Sequence, residues 1–508
     1  HFPALEQLVR LDLARRSFAQ AHSRIAAHEA SGQPSADSAF LRSVARHAAD
    51  ELDSAQASAL LAIERDPERL DAYFLSAEIA RKQGDAQLAR QQLSAIVAKD
   101  GANVRALMTL GDLHEQSGDF REAASYYQRA LDAEPRNAPA LNNLAYLLSK
   151  NPATLEKAYA LANRARQLHP NDPVIADTLG WIVYQLGNYT WAAPILEEAA
   201  LRLPHRPETH YHLAKARYAM GDASAAKLSF ERALSIAATF HEKEDCLLRL
   251  EIISLASEEP DPEALEQLRR HIEKEPADPL ALLALARNAL ADSRFDEAKS
   301  LLGRALKANP DNGYAKVELA VAKWKDGDPS GAFLLAKDAY GVLPNTPILI
   351  RLLGILSYQE SQYAWSNVLL SRAAESFPGD SELLAWLAKS HLAVGKLGES
   401  LSAAQAALTL DPTDASLARS VALASALVAG TSGEAAALAA AEELQADPNS
   451  LSALLYLAPP QLGENGIEAS LERYRGILRL YKDCVIAQRE IALLEAAAKA
   501  EAVDAAVL

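Results

Sequence analysis

The chain has 508 residues, more than one hydrophobic core usually supports, because single cores rarely grow beyond ~250 to 300 residues. Its residues are 49% hydrophobic but only 6% aromatic, an alanine-rich composition that favours closely packed helices. The formal net charge of -16 disfavours nucleic acid and anionic membrane surfaces as partners, and no apolar run approaches the ~20 residues that span a bilayer.

A 34-residue pattern, clearest from Val104 to Asn137, sets the register of the chain. Each half carries residues of fixed size at helical spacing, and Gly118-Asp119 separates the halves, which predicts two amphipathic helices joined by a short turn. Small residues let the two backbones approach closely, and a proline ends the second helix. The eight pattern residues are Leu107, Leu110, Gly111, His114, Ala123, Tyr127, Ala130 and Pro135.

The same period predicts seven repeats over residues 1–240, followed by an insertion at 241–244 that interrupts the register. These repeats start at Phe2, Ala36, Leu70, Val104, Ala138, Pro173 and Pro207. Pro194 falls early in the second helix of the sixth repeat, where it either lies in the first turn or kinks the helix.

Seven further repeats are predicted over residues 241–484, and residues 485–508 form one more helix. The later repeats start at Asp245, Pro279, Gly313, Pro347, Ser381, Ala415 and Leu451. Extra residues are expected at 430–433, and Pro459-Pro460 interrupts the last repeat. The helix over 485–508 has an apolar stripe and a polar outer side, which suits a cap on the end of a stack.

This pattern of small and large residues resembles the tetratricopeptide repeat. The resemblance implies a right-handed superhelix whose concave face is lined by the first helix of each repeat. We therefore expect an all-α fold, an α-solenoid of about fourteen helix-turn-helix repeats with a C-terminal capping helix.

A polar and aromatic row on the first helices of repeats four to seven is the predicted partner-binding groove. Aromatic rings, amides and a few charges can hold an extended peptide, or a sugar by stacking and hydrogen bonding. Alternatively, the same side chains solvate the groove or pack between neighbouring first helices. The residues are Thr109, Asn142, Asn143, Tyr146, Asp177, Thr178, Trp181, Tyr184, Tyr211, His212, Lys215 and Tyr218.

The corresponding face of the later repeats is more apolar and carries Trp324, Tyr358 and Trp386. Such a face suits a partner helix or packing against a second copy of the chain, so a homo-oligomer is one expectation.

Catalytic and metal-binding motifs are missing from the sequence, so neither an enzyme, a cofactor nor a metal site is predicted. His210 and His212 lie two residues apart on a helix and point in different directions, which prevents joint chelation. Cys246 and Cys484 lie six repeats apart and are expected to be buried thiols rather than a disulfide.

Residues 140–222 are similar to the repeats of exported bacterial proteins from PEP-CTERM/exopolysaccharide systems. They include ALNNLAYLLSKNP, DTLGWIVYQLGNY and THYHLAKARYAMGD. The resemblance implies a non-enzymatic protein-protein interaction scaffold in a bacterial cell-envelope or secretion/exopolysaccharide assembly, in the periplasm or at the outer membrane. The alternative is a carbohydrate-binding accessory to polysaccharide synthesis or export.

Overall fold

Consecutive antiparallel helix pairs build the protein in a computed structural model that describes residues 2–32, 34–237, 239–257, 260–431, 434–459 and 466–507. Within these ranges the secondary structure consists of α-helices and one short 3-10 helix, and no strand occurs. The predicted fold class, an all-α superhelix of paired helices, is confirmed.

Residue contacts divide the chain into two compact units, His1–Leu213 and Ala214–Leu508, with the boundary inside one helix. The helices of the first unit are α1 (Phe2–Ala14), α2 (Phe18–Ala30), α3 (Ala36–Ala48), α4 (Leu52–Arg65), α5 (Leu70–Gln83), α6 (Ala86–Lys99), α7 (Val104–Gln116), α8 (Phe120–Ala133), α9 (Ala138–Ser149), the 3-10 helix Pro152–Thr154, α10 (Leu155–Leu168), α11 (Pro173–Gln185) and α12 (Tyr189–Arg202). Helix α13 (Pro207–Ala219) contains the boundary.

The second unit continues the same alternation of first and second helices. Its helices are α14 (Ala223–Ile236), α15 (Lys243–Leu255), α16 (Pro262–Lys274), α17 (Pro279–Ala291), α18 (Phe295–Ala308), α19 (Gly313–Lys325), α20 (Pro329–Val342), α21 (Pro347–Gln359), α22 (Tyr363–Ser376), α23 (Ser381–Ala393), α24 (Leu397–Leu410), α25 (Ala415–Ala429), α26 (Glu434–Ala446), α27 (Leu451–Leu457), α28 (Gly466–Leu480) and α29 (Val485–Val507).

The first helices begin where the period predicts, because the residue before each start is often a capping Asn or Asp. The side chains of Asn137, Asp278 and Asn312 each accept a hydrogen bond from a backbone N–H in the first turn. Proline at the first helical position adds a preset backbone angle in α11, α17 and α21. An exception is α15, which starts at Lys243, two residues before the predicted Asp245 and inside the predicted insertion.

In most described repeats the turn between the two helices has a left-handed residue at the fifteenth position of the repeat. Glycine supplies it in several repeats, for example Gly118 with φ of 80°. In other repeats the same position is held by Asp50, Ser293 or Ser361, whose φ values are 61°, 58° and 59°.

Small residues of the first helix bring it into contact with large residues of the second. A Cβ atom added to Gly111 would lie 2.4 Å from the ring of Tyr127, and one added to Gly180 would lie 2.6 Å from Leu196. Pro194 is the sixth residue of α12 and therefore lies beyond its first turn.

Helix α29 packs against helices that precede it by several repeats. Its residues Ile486 and Ile491 contact a buried cluster that contains Tyr363 and Leu392. A side chain at Gly395, in the turn after α23, would meet Val485 at 3.4 Å. The predicted stretches at 432–433 and at Pro460 lie outside the described residues.

Candidate partner-binding surfaces

The twelve predicted groove residues divide into two groups by exposure. Half-buried side chains, which keep some surface in contact with solvent, are Thr109, Asn143, Tyr146, Trp181, Tyr184 and Lys215. Buried residues, none more than 9% exposed when backbone and side chain are taken together, are Asn142, Asp177, Thr178, Tyr211, His212 and Tyr218. The first group is the part of the predicted row that a partner can contact without rearrangement.

Trp181 of α11 is the centre of an aromatic cluster in the first unit. Its ring stacks on Tyr184 at 4.8 Å with an interplanar angle of 11°, and on His212 at 4.2 Å with an angle of 20°. Tyr211 approaches the same ring at 6.1 Å. These contacts use ring surface that a sugar would need for stacking.

Asp177 and His212 form a pair between neighbouring first helices. The Nδ1 atom of His212 lies 2.9 Å from Oδ1 of Asp177, and the two side chains are 11% and 8% exposed. Sequence reasoning placed both in an open groove, whereas here they join α11 to α13.

A polar group at α7, α8 and α9 lies next to the half-buried row. The hydroxyl oxygen of Tyr127 is 2.8 Å from Asp112 and 2.9 Å from Glu115, so its one proton serves one carboxylate at a time. Asn143 donates to Asp112 at 3.4 Å. Burial, as the largest cause, raises the pKa of the Glu115 carboxyl.

Asn142 carries a buried acceptor that the protein leaves unpaired. The residue is 6% exposed, its amide nitrogen donates to Asn143 Oδ1 at 3.4 Å, and its own Oδ1 atom has no hydrogen-bond partner among the described residues. Leaving such an oxygen unsatisfied costs ~1 to 3 kcal/mol, which a donor from a ligand would recover.

Lys215 and Tyr218 belong to a buried ionic network in the second unit that the sequence did not reveal. Lys215 donates to Asp245 at 2.8 Å, and the Tyr218 hydroxyl donates to Asp278 at 2.8 Å. Arg249 donates to Asp245 at 3.2 Å and to Asp278 at 2.8 Å. These bonds join α13, α15 and the start of α17.

His271, Glu275 and Asp278 bring their ligand atoms within 4.8 Å of one another, close enough for a metal ion. The guanidinium of Arg249, however, lies 2.8 Å from both Glu275 and Asp278. A positive charge already occupies this carboxylate pair, so the group acts as an ion-pair network.

A cavity of about 290 Å³ lies in the second unit. Its wall includes Tyr358 and Trp386, which are two of the three aromatic residues predicted for the apolar face. The third, Trp324, is not part of this wall and packs against the same buried core cluster that Trp386 contacts. In the parts of the chain that the structure describes, no helix combines the length and apolar character needed to cross a membrane.

Family models described as tetratricopeptide repeats match three parts of the chain. One model matches residues 108–173 and 283–347, and a second matches residues 207–240. These segments include most of the helices that carry the predicted groove.

Two curated proteins align with about a third of the chain. A TPR repeat-containing protein of Pseudomonas aeruginosa is 29% identical over 164 residues, which are 32% of this chain and 27% of that protein. The probable UDP-N-acetylglucosamine–peptide N-acetylglucosaminyltransferase SPINDLY of Hordeum vulgare is 27% identical over 169 residues, which are 33% of this chain and 18% of that protein. The alignments thus span about a quarter or less of each relative.

Several solved structures are similar at low sequence identity. Pseudomonas aeruginosa pilF gives a TM-score of 0.36 at 17% identity and covers 42% of this chain and 96% of its own. The C-terminal part of a TPR repeat-containing protein from Cytophaga hutchinsonii gives 0.37 at 18% identity, with 48% and 99% covered. The APC/C hetero-tetramer Cut9-Hcn1 gives 0.32 at 14% identity, with 97% and 96% covered.

Proposed function

We propose that this chain, which contains tetratricopeptide repeats over residues 108–173, 207–240 and 283–347, is a non-enzymatic scaffold that binds an extended segment of a protein partner on the first helices of repeats four to six. Repeats of this kind present the same position on successive helices, so a row of side chains can follow an extended peptide. The row here consists of Thr109, Asn143, Tyr146, Trp181 and Tyr184, all half-buried.

The unpaired Oδ1 atom of Asn142 is the observation that carries this proposal. A peptide lying along α9 would offer backbone N–H groups, and one such donor would satisfy this oxygen once the buried Asn142 side chain turns toward the half-buried row. Asn143 beside it adds a half-buried amide whose hydrogen bonds, one to Asp112 and one from Asn142, are both long at 3.4 Å. An amide pair of this kind favours main-chain recognition and tolerates different side chains in the partner.

The test is selection of binders from a phage-displayed library of random peptides with the full chain, followed by titration of the enriched peptides after synthesis. Changing Thr109→Ala together with Asn143→Ala shortens two side chains of the half-buried row and leaves the buried residues of the predicted groove unchanged. We expect these changes to weaken binding about tenfold or more, because each removes a polar contact worth ~0.5 to 1.5 kcal/mol.

The matched control changes Arg121→Ala and Gln128→Ala, two exposed residues on the second helix α8. Equal weakening by both pairs of changes, or selection of no peptide at all, contradicts the proposal. Titration with soluble oligosaccharides belongs to the same experiment. Binding of sugars in place of peptides, lost in the Thr109 and Asn143 variant, supports the accessory role in polysaccharide synthesis or export instead.

The same proposal places the scaffold in a cell-envelope or secretion/exopolysaccharide assembly of a bacterium. Its support is the similarity of residues 140–222 to repeats of exported bacterial proteins. Separation of a cross-linked native extract into envelope and soluble fractions tests this assignment, because partners found only among soluble proteins contradict it.

A further inference from the structure

The cavity in the second unit is lined by residues of helices α21 to α25 and, from the later part of the chain, by residues between Glu443 and Ser452 together with Leu480 and Tyr481. Its volume of about 290 Å³ is at the lower end of ligand sites, which range over ~300 to 1,000 Å³. A space of this size suits one long side chain of a partner better than a whole folded element.

Four aromatic rings in contact with one another form one wall of this cavity. Trp386 meets Tyr358 at 5.6 Å and an angle of 66°, and Tyr358 meets Tyr363 at 5.2 Å and 67°. Tyr363 in turn meets Tyr481 at 5.7 Å. Ring faces carry partial negative charge and attract cations, most strongly in tryptophan.

A cation of the protein already uses one of these faces. The Nζ atom of Lys389 lies 4.9 Å from the ring centroid of Trp386. Lys389 is exposed, and it stands one helical turn after Trp386 on α23. Its flexible stem allows the ammonium group to move into solvent when another cation approaches.

The charges around the rings also favour a positive guest. Glu443 is paired with Arg419 at 3.0 Å, whereas the exposed Asp447 carboxylate accepts, within the described part of the chain, a single backbone hydrogen bond, from Asn449 at 3.0 Å. Burial is the largest cause that raises the pKa of Tyr358 and Tyr481, and the charge of Asp447 adds to it. The phenols are therefore neutral near pH 7, and Asp447 brings to the cavity a carboxylate that forms no ion pair among the described residues.

We propose that this cavity binds a basic side chain, arginine or lysine, from an extended segment of a protein partner. The guest cation lies on the face of Trp386 in place of Lys389 and pairs with Asp447, while its apolar neighbours contact Leu392 and Leu451 in the cavity wall. This site is separate from the row on α7, α9 and α11, so either surface can be tested without the other.

The test uses calorimetric titration of the full chain with three short peptides that differ in one residue. Each is acetyl-Ala-Leu-X-Leu-Ala-amide, where X is arginine, its neutral isostere citrulline, or glutamate. We expect the arginine peptide to bind about tenfold more tightly than the citrulline peptide, because only the arginine peptide places a cation on the tryptophan ring. The glutamate peptide should bind most weakly.

Variants then separate recognition from folding. Trp386→Ala and Asp447→Asn should each remove most of the preference for arginine over citrulline, while Trp386→Phe keeps an aromatic ring and part of that preference. Lys389→Ala should increase the affinity for the arginine peptide, because it removes a competing cation, an effect that a purely structural lysine would not produce. Glu442→Gln changes a neighbouring exposed carboxylate on α26 and should have no effect.

Equal binding of the arginine and citrulline peptides, or no binding of any peptide, overturns the proposal. Tightest binding of the glutamate peptide, lost in Lys389→Ala, also overturns it, because Lys389 would then be the recognition group for an anion. Circular dichroism of each variant identifies unfolded proteins, and Trp386→Phe and Asp447→Asn still decide the question if Trp386→Ala fails to fold.

Discussion

At the residue scale, the fifteenth position of each repeat shows how one backbone angle constrains the sequence. A side chain in the left-handed region brings its Cβ atom close to a carbonyl oxygen, which costs ~1 to 2 kcal/mol for residues other than glycine. Most of the described turns use glycine there, but Ser293 keeps a φ of 58°. Its side chain is exposed, so little offsets the strain.

Ser293→Gly is therefore expected to stabilise the repeat formed by α17 and α18 by ~1 kcal/mol. The measurement is hydrogen exchange of the amides in these helices, with denaturant unfolding of the full chain. Ser300→Gly is the matched control, since it changes an exposed serine inside α18, where glycine costs ~0.5 to 1 kcal/mol. A decrease in stability for both variants would contradict the strain argument.

At the element scale, the helix pair could be predicted almost completely from the sequence. Caps such as Asn137 and Asp278 and prolines such as Pro173 leave one choice for the start of a helix. The predicted start of α15 was wrong by two residues. Glu244 and Asp245 are favourable in the first turn of a helix, so α15 begins at Lys243, inside the expected insertion.

Helix contact within a pair predicts opposite effects for two glycines. Gly180→Ala places a Cβ atom 2.6 Å from Leu196, so overpacking should cost ~1 to 3 kcal/mol. Gly303→Ala meets nothing within 4 Å in the exposed face of α18 and should stabilise that helix by up to ~1 kcal/mol. Thermal unfolding of both variants measures the change in stability. If both substitutions change the stability in the same direction, the close contact of Gly180 with Leu196 does not determine the effect.

The groove was only partly predictable from the sequence, because spacing gives the face of a helix but not its distance from the next first helix. Asp177 and His212 follow the groove pattern, yet they pair with each other and are buried. Thr109 and Asn143 share the pattern and are half-buried. Some polar side chains form hydrogen bonds with the neighbouring first helix, and others remain accessible to a partner. The sequence alone does not distinguish the two kinds, because the distance between the helices must be known.

At the scale of the whole molecule, one pair of helices differs from the others in the contacts that stabilise it. Most neighbouring pairs bury apolar side chains, but the eighth pair buries few: Cys246 and Ile252 in α15, and Leu268 in α16. The network around Arg249 replaces that core. It could not be predicted from the sequence, because its members are spread over three helices and lack a fixed spacing.

Arg249→Leu should destabilise this part of the second unit by ~3 to 5 kcal/mol, because it leaves the completely buried Asp278 carboxylate with less compensating charge. Hydrogen exchange should show the loss in α15 to α17 and little change in α19 to α24. Arg270→Leu removes an exposed ion pair with Glu266 and should cost less than ~1 kcal/mol. If the two variants are equally stable, the network does not hold the eighth pair in place.

The return of α29 to the turn after α23 has a consequence for synthesis on the ribosome. Most repeats can complete their core as soon as the next pair emerges, because their contacts are local in sequence. Tyr363 and Leu392, however, share a buried cluster with Tyr474 and Cys484, which are made much later. The eleventh and twelfth pairs thus stay incomplete during translation until α28 and α29 appear, and this delayed step is where a nascent chain would most need a chaperone.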